Sequence, residues 1–266
     1  MKLIVAKSAG FCYGVKRAVA MCEAAADECE TCFTLGPIIH NKVVVRELAE
    51  RGVRCAEHIS EIPKNATVVI RSHGAGKSDY ECLKEKGANI IDATCPDVKK
   101  IHEIVTAQSK SGSFILIIGS RDHPEVKAIA GWCDNYAIFE TPDELISWLN
   151  IKKNAEKDLS VVFQTTITKI LYETCVKTIK KECTNHKLFD TICNATFKRQ
   201  QEAEYISKTT DAVLVIGDKN SSNSRSLKNI CSQYSNKVYF ISNADEIDLA
   251  EFCQLNVIGV TAGAST

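Results

Sequence analysis

Along most of the chain, short continuous apolar runs alternate with longer segments whose apolar positions recur every three to four residues. The runs "KLIVA", "CFTLG", "ATVVIR", "NIID", "SFILIIG", "YAIFE", "LSVVFQ", "KLFDTI", "DAVLVIG", "KVYFIS" and "NVIGVT" have the length and β-branched content of strands. Between them, "GVKRAVAMCEAAADE", "VVVRELAERG", "VKKIHEIVTAQSKSG", "TKILYETCVKTIKKE" and "SLKNICSQYS" carry the helical period. Runs that are continuous rather than alternating belong to strands buried on both faces. Strand and helix in alternation therefore predict an α/β protein with mainly parallel sheets covered by helices.

The pattern also repeats on a larger scale. Cys12, Cys95 and Cys193 each follow an apolar run and precede a helix-like segment, with separations of 83 and 98 residues. Each third of the chain holds about four strand signals, so the expected organisation is three similar small α/β units. They cover residues 1–95, with the N-terminal strand and Cys12 at the centre, then 96–192 and 193–266. No Pro/Gly/Ser-rich linker separates them, so the units should pack directly on one another.

Bulk properties narrow the function classes. Thirty-three basic residues balance thirty-three acidic ones, which gives no footprint for nucleic acid or for a membrane surface. No apolar run reaches the roughly 18 residues of a membrane span, and the first residues are too short for a signal-peptide core. The expected location is the cytoplasm. Thirteen cysteines, an odd number in a long chain without a secretion signal, argue against a disulfide framework.

Position sorts the thiols. Cys22, Cys82, Cys175, Cys183, Cys231 and Cys253 lie within helical patterns and read as small hydrophobes, and Cys55 and Cys133 sit in connecting segments. Cys29 and Cys32 form a lone C-x-x-C that follows a helix and lacks the second pair a structural zinc needs. Cys12, Cys95 and Cys193 differ because they occupy equivalent points of three units. Three thiolates converging from separate units can hold a cuboidal iron–sulfur cluster and leave one iron open to substrate. A three-thiolate zinc site is the chemical alternative.

Parallel sheets gather ligands at the carboxyl ends of their strands. There the sequence places His40 in "GPIIHN", His73 in "RSHGAG", and His123 and Glu125 in "GSRDHPEV". Thr165 and Thr166 follow in "QTTIT", Ser221, Ser222 and Asn223 in "GDKNSSNSRS", and Ser265 in "TAGAST". One polar site shared by the three units is the economical reading. "HGAGKS" approaches a phosphate loop, but Arg71 stands where its first Gly belongs, and neither "LIIGS" nor "VIGDK" is a dinucleotide fingerprint. His58, His102 and His186 fall in helical or connecting contexts and read as solvated.

Taken together, "GFCYGVKRAV", "GPIIHN", "SHGAG", "DATCPDV", "HPEV", "QTT", "TICNAT" followed by "RQ", "SSNS" and "TAGAS" occur in order over residues 1–266. In this the chain resembles the 4-hydroxy-3-methylbut-2-enyl diphosphate reductase (IspH/LytB) family. Tyr13 stands where that family often has Ala, with Gly14 kept beside it. The resemblance implies a pseudo-three-fold trefoil around a central 4Fe–4S cluster, with Cys12, Cys95 and Cys193 as the three ligands and one iron open. It implies reductive removal of an allylic hydroxyl, giving isopentenyl and dimethylallyl diphosphate in the last step of the methylerythritol phosphate pathway. By itself, Glu125 after His-Pro reads as a helix-start acid; the resemblance implies instead that it relays a proton, with Thr165 and His123 beside it.

For the diphosphate, His40, His73 and His123 can pair with phosphate oxygens, with hydrogen bonds from Thr165, Thr166, Ser221, Ser222, Asn223 and Ser265. The resemblance implies ferredoxin or flavodoxin as the electron donor. Two other functions fit the residues alone: a redox-neutral iron–sulfur hydro-lyase, which would need no reductant, and a non-enzymatic zinc- or anion-binding α/β protein.

Overall fold

A computed structural model of the chain describes residues 1–266, the side chains of residues 152 and 153 excepted. The chain opens with β1 (Lys2–Val5) and α1 (Tyr13–Glu28), then β2 (Cys32–Leu35), α2 (Lys42–Glu50), β3 (Val53–Ala56), β4 (Thr67–Ile70), α3 (Lys77–Glu85) and β5 (Asn89–Asp92). It continues through α4 (Pro96–Lys110), β6 (Phe114–Ile118), α5 (Pro124–Ala130), β7 (Tyr136–Phe139), α6 (Pro142–Leu149), α7 (Lys152–Ala155), β8 (Leu159–Phe163), α8 (Lys169–Glu182) and β9 (His186–Leu188). The last stretch holds α9 (Asn194–Thr209), β10 (Ala212–Ile216), α10 (Ser222–Tyr234), β11 (Val238–Ile241) and β12 (Val257–Ala262).

The strands form three four-stranded sheets, in the orders β3-β2-β4-β5, β7-β6-β8-β9 and β11-β10-β12-β1. Every pairing is parallel. The three orders are one order repeated, and the third copy is completed by the first strand of the chain. A division at residues 95/96 and 192/193 leaves β1 with the first unit, whereas its register, Lys2 opposite Val257 through Val5 opposite Val260, puts it in the sheet of the last. The N-terminal segment thus closes the ring by swapping one strand back to the third unit.

Central strands are mostly apolar because helices cover both faces: Ile115, Leu116, Ile117 and Ile118 of β6 and Val161, Val162 and Phe163 of β8 are all fully buried. The sequence pattern missed β3. Its Val53 and Ala56 are buried while Arg54 and Cys55 are exposed, so an edge strand of four residues presents half its length as polar. Cys55 accordingly sits in a strand and not in a connecting segment. Among the described residues no helix is long and apolar enough to cross a membrane.

The repeat positions one structural device three times. In each sheet the strand next to the edge (β4, β8 or β12) is followed two residues on by a carbonyl that receives a cysteine amide. Cys95 N–H donates to Ser72 O at 3.0 Å, Cys193 N–H to Thr165 O at 3.2 Å, and Cys12 N–H to Ala264 O at 3.0 Å. Each of these cysteines then caps a helix: Cys12 for α1, Cys95 for α4 and Cys193 for α9.

Candidate active site

The three cysteines cap helices of three units; Cys12 lies near enough to Cys95 to act on its thiol, and Cys12 and Cys193 both act on Arg199. Gly14, two residues after Cys12, lies so close to Cys95 that a Cβ built on it would sit 2.6 Å from the Cys95 Sγ. The sulfur of Cys12 accepts from Val15 N–H at 3.4 Å, and that of Cys193 from Thr196 N–H at 3.3 Å, with the Thr196 hydroxyl 3.0 Å away. Burial pushes the Cys95 thiol up to about 11, against the opposing amides of Asp97 and Val98, and it also raises Cys193. Such thiols are poor nucleophiles at neutral pH, but a metal replaces the proton outright. The donor set, three cysteines at helix N-caps, two of whose sulfurs (Cys12 and Cys193) receive an amide hydrogen, fits metal–thiolate ligation.

The lone C-x-x-C lies elsewhere. Cys29 closes α1 and Cys32 opens β2, where burial raises the Cys32 thiol. Tyr13 is the first helical residue after Cys12 and is 74% exposed, so the residue at that position turns away from the site.

Beside the thiols lies a triad of histidines. The ring centroids of His40 and His73 are 4.7 Å apart, those of His40 and His123 5.7 Å, and those of His73 and His123 5.3 Å. Their donor nitrogens all lie within 4.8 Å of one another, a spacing that could hold a metal ion. One hydrogen bond argues otherwise. His123 caps α5, and its Nδ1 accepts the Glu125 N–H at 3.2 Å. The ring proton is therefore on Nε2, which makes that nitrogen a donor with no lone pair for a metal. The triad suits an anion.

Its electrostatics agree. Burial lowers all three histidine pKa values, most clearly for His123, which falls to about 3, and for His73, which lies well below its ordinary value. Arg71 and the neighbouring histidines push in the same direction. Burial therefore favours the neutral form of these rings. His40 Nε2 and His73 Nδ1 are buried without any hydrogen-bond partner, as are both amide atoms of Asn223. Buried polar atoms normally find partners, so unpaired groups of this kind point to a polar ligand.

The remaining predicted residues lie in the same neighbourhood. Glu125 is 2% exposed and meets Thr165 twice: the Thr165 N–H donates to Oε1 at 2.6 Å and its hydroxyl to Oε2 at 2.7 Å. Burial raises the Glu125 carboxyl to about 7, with the two Thr165 bonds pulling back. Thr166 Oγ1 lies 3.1 Å from Ser222 Oγ, and Ser221 caps α10 through the Ser224 N–H. Ser265 Oγ donates to His40 O at 3.1 Å, and Asn41 Nδ2 donates to Ser265 O at 2.8 Å, which ties the third unit to the first.

The repeat explains why these residues meet. His73, Thr166 and Ser265 each stand three residues beyond the end of β4, β8 and β12, and each follows directly on the residue whose carbonyl holds a cysteine amide. One position in the repeated unit thus supplies an imidazole, a hydroxyl and a second hydroxyl to one centre.

Four residues were not singled out as site residues from the sequence. Gln164 is buried and bridges the site, with Nε2 donating to Thr166 Oγ1 at 2.8 Å and Ser222 Oγ at 3.2 Å while Oε1 accepts the Ser120 N–H at 2.9 Å. Arg71, noticed only as a departure from a phosphate loop, is a half-buried cation that acts on His40, His73 and His123. Arg17 of α1 donates to Thr94 O at 3.0 Å and Asp92 O at 3.3 Å, and so holds the segment that leads to Cys95. Arg199 of α9 does the same for the segment leading to Cys12. A cation placed beside a strand end, or one to two turns after a capping cysteine, was the available signal.

His102 is a correction. It is buried, stacks on Trp132 with centroids 5.5 Å apart, and packs against Gly74, so its neighbours are core groups and not solvent. His186 is half-buried and hydrogen-bonds the Cys183 carbonyl at 3.1 Å. A cavity of about 550 Å³ lined by Tyr80, His102 and Trp132 opens elsewhere and contains none of the predicted site residues.

Comparison with known proteins converges on one family. The LytB protein family matches residues 3–266. The 4-hydroxy-3-methylbut-2-enyl diphosphate reductase of Caldanaerobacter subterraneus subsp. tengcongensis is 41% identical over 270 residues, covering 100% of this chain and 92% of the relative. The reductase of the same name from Clostridioides difficile is 40% identical over 274 residues, covering 100% of this chain and 95% of the relative. Among solved structures, the E-1-hydroxy-2-methyl-but-2-enyl-4-diphosphate reductase of Plasmodium falciparum superposes with a TM-score of 0.94 at 27% identity, over 100% of this chain and 84% of the other. A structure described as (E)-4-hydroxy-3-methyl-but-2-enyl diphosphate reductase, the terminal enzyme of the non-mevalonate pathway, matches with a TM-score of 0.70 at 36% identity, over 100% of this chain and 95% of the other.

Proposed function

The chain belongs to the LytB family and is an oxidoreductase with its 4-hydroxy-3-methylbut-2-enyl diphosphate reductase activity, and we propose that the central site described above carries it out. The observation that carries the assignment of roles is the set of unpaired buried polar atoms, His40 Nε2, His73 Nδ1 and the Asn223 amide.

Cys12, Cys95 and Cys193 are proposed to hold an iron–sulfur cluster of the 4Fe–4S type through three irons, the fourth being open. Bound there, the cluster supplies single electrons and an open Lewis-acid position. The electron donor is proposed to be a ferredoxin or flavodoxin, because the sequence offers no nicotinamide or flavin fingerprint, and the reaction is placed in the cytoplasm.

The protein's own groups do the rest. His40, His73 and His123 meet the diphosphate oxygens; the His123 Nε2–H donates as it stands, and the anion's charge draws protons onto the other rings. Asn223, Ser221, Ser222 and Ser265 complete the donor set. Arg71 adds a fixed positive charge behind the histidines. Thr165 contacts the allylic hydroxyl, and Glu125, neutral below about pH 7, gives up the proton that lets the oxygen leave as water. Two electrons and two protons are consumed per hydroxyl removed, and the organic product is isopentenyl or dimethylallyl diphosphate.

Anaerobic purification with iron analysis, followed by substrate-dependent oxidation of a reduced one-electron dye, tests this reading. About four irons per chain and dye oxidation coupled to substrate are expected. A colourless zinc protein would refute it, and product formed without any reductant would favour a redox-neutral hydro-lyase.

A further inference from the structure

Arg199 is an unusual cation. It is 4% exposed, and among the described residues no carboxylate pairs with its guanidinium. Its Nη2 donates to Gly10 O at 2.6 Å and its Nη1 to Ala195 O at 3.1 Å, while Nε is buried with no partner. Those two carbonyls belong to the residue two before Cys12 and the residue two after Cys193. The guanidinium therefore straddles two of the three thiol-bearing segments, one from α9 and one from the N-terminal stretch that crosses over from β1. Glu202, the neighbouring acid, is engaged with the Ser8 N–H at 2.9 Å and with the Ser8 hydroxyl.

A buried guanidinium without a counter-charge is costly, and natural proteins keep one only where something compensates it. Burial works against the charge of Arg199 and dominates, while the nearby sulfurs of Cys12 and Cys193, and then Glu202, act in its favour. We infer that Arg199 is a positioning residue for the thiolate set: it fixes the Cys12 segment against α9 and sets the reduction potential of the cluster the thiols hold. The inference rests on the iron–sulfur reading above. A fixed positive charge near the ligands stabilises the added electron, so it raises the potential. Arg17 clamps the Cys95 segment in the same manner, through Thr94 O and Asp92 O, but is only half-buried.

The test is a redox titration of the anaerobically purified holoenzyme, followed by visible absorbance and electron paramagnetic resonance. Arg199→Met removes the charge at similar volume, and Arg199→Lys keeps it. The expected result is a midpoint potential for Arg199→Met clearly more negative than wild type, with Arg199→Lys close to wild type. A wild-type potential in Arg199→Met overturns the inference, and so does an equal shift in Arg199→Lys, because the charge would then not be what acts. If Arg199→Met fails to load iron, Arg199→Gln replaces it, since its amide can retain the bond to Gly10 without the charge; a wild-type potential there is again fatal. A wild-type protein that purifies without iron defeats the iron–sulfur reading itself, whereas a loaded wild type with unmoved variants defeats only the role given to Arg199.

Discussion

Glu125 and Thr165 are joined through both carboxylate oxygens, the amide of Thr165 on one at 2.6 Å and its hydroxyl on the other at 2.7 Å. The pair spans two elements, α5 and the segment after β8, and it places the buried carboxyl beside the residue whose carbonyl also receives the Cys193 amide. Burial raises the carboxyl to about 7 and the Thr165 bonds lower it. The sign follows directly: Glu125 holds its proton below about pH 7 and loses it above.

Turnover with a dye as reductant is accordingly expected to fall as pH rises through that value. Glu125→Gln should lower turnover by about 10²-fold or more, the usual worth of a positioned acid, with pyrophosphate binding unchanged. Thr165→Ala removes one bond that favours the carboxylate, so the alkaline limb should move to higher pH. A limb that stays in place in Thr165→Ala would separate it from Glu125 and refute the pairing as its origin.

Diphosphate binding should take up protons. His40, His73 and His123 have lowered pKa values in the protein, chiefly from burial, and an adjacent polyanion raises them again. Between the free and bound pKa values the complex holds more protons than its parts, so affinity must weaken as pH rises through that window. Calorimetry of pyrophosphate binding in buffers of different ionisation enthalpy measures the uptake. Arg71→Met should weaken binding at every pH without removing the uptake. Zero uptake, with pH-independent affinity, would show that the histidines act only as neutral donors.

Iron content should separate the cysteines by position. Cys95→Ser is expected to lose most of the cluster absorbance, while Cys29→Ser with Cys32→Ser should keep wild-type iron, because that pair lies at the end of α1 and the start of β2. Retained iron in Cys95→Ser, measured by colorimetric assay, would remove it from the ligand set.

What could be read from the sequence was set by local physics. His40, His73, His123, Thr165, Thr166 and Ser265 were visible because parallel strands deliver their carboxyl-terminal residues to one edge, whatever the sheets' mutual arrangement. Three capping cysteines were visible for a related reason, since each closes a strand and opens a helix. The hydrogen-bonding partner of an edge strand has no such local signature. β1 carries the pattern of an edge strand, with Leu3 and Val5 more than half exposed, and nothing in that pattern names β12 as its neighbour. Gln164, Arg71 and Arg199 escaped for the same reason: their partners lie far along the chain, at Ser222, the histidines and Gly10. His102 looked solvated because its helix is polar around it, and only the stack on Trp132 makes it a core residue.

Gly14 offers a test in which local and central effects oppose one another. It is the second residue of α1, and its backbone needs no left-handed conformation. On helix propensity alone Gly14→Ala should stabilise the protein by up to about 1 kcal/mol. A Cβ there would lie 2.6 Å from Cys95 Sγ and 3.3 Å from Cys95 Cβ, closer than real side chains come, so the sulfur must move. Displacement by several tenths of an ångström is tolerable for a free thiol but not for a ligand held at a fixed metal–sulfur distance. Gly14→Ala should therefore leave thermal unfolding of the iron-free protein unchanged or slightly raised, while the loaded protein loses iron faster to a chelator. If the variant holds iron as tightly as wild type, Cys95 is free to move, and its place among the ligands would have to be given up.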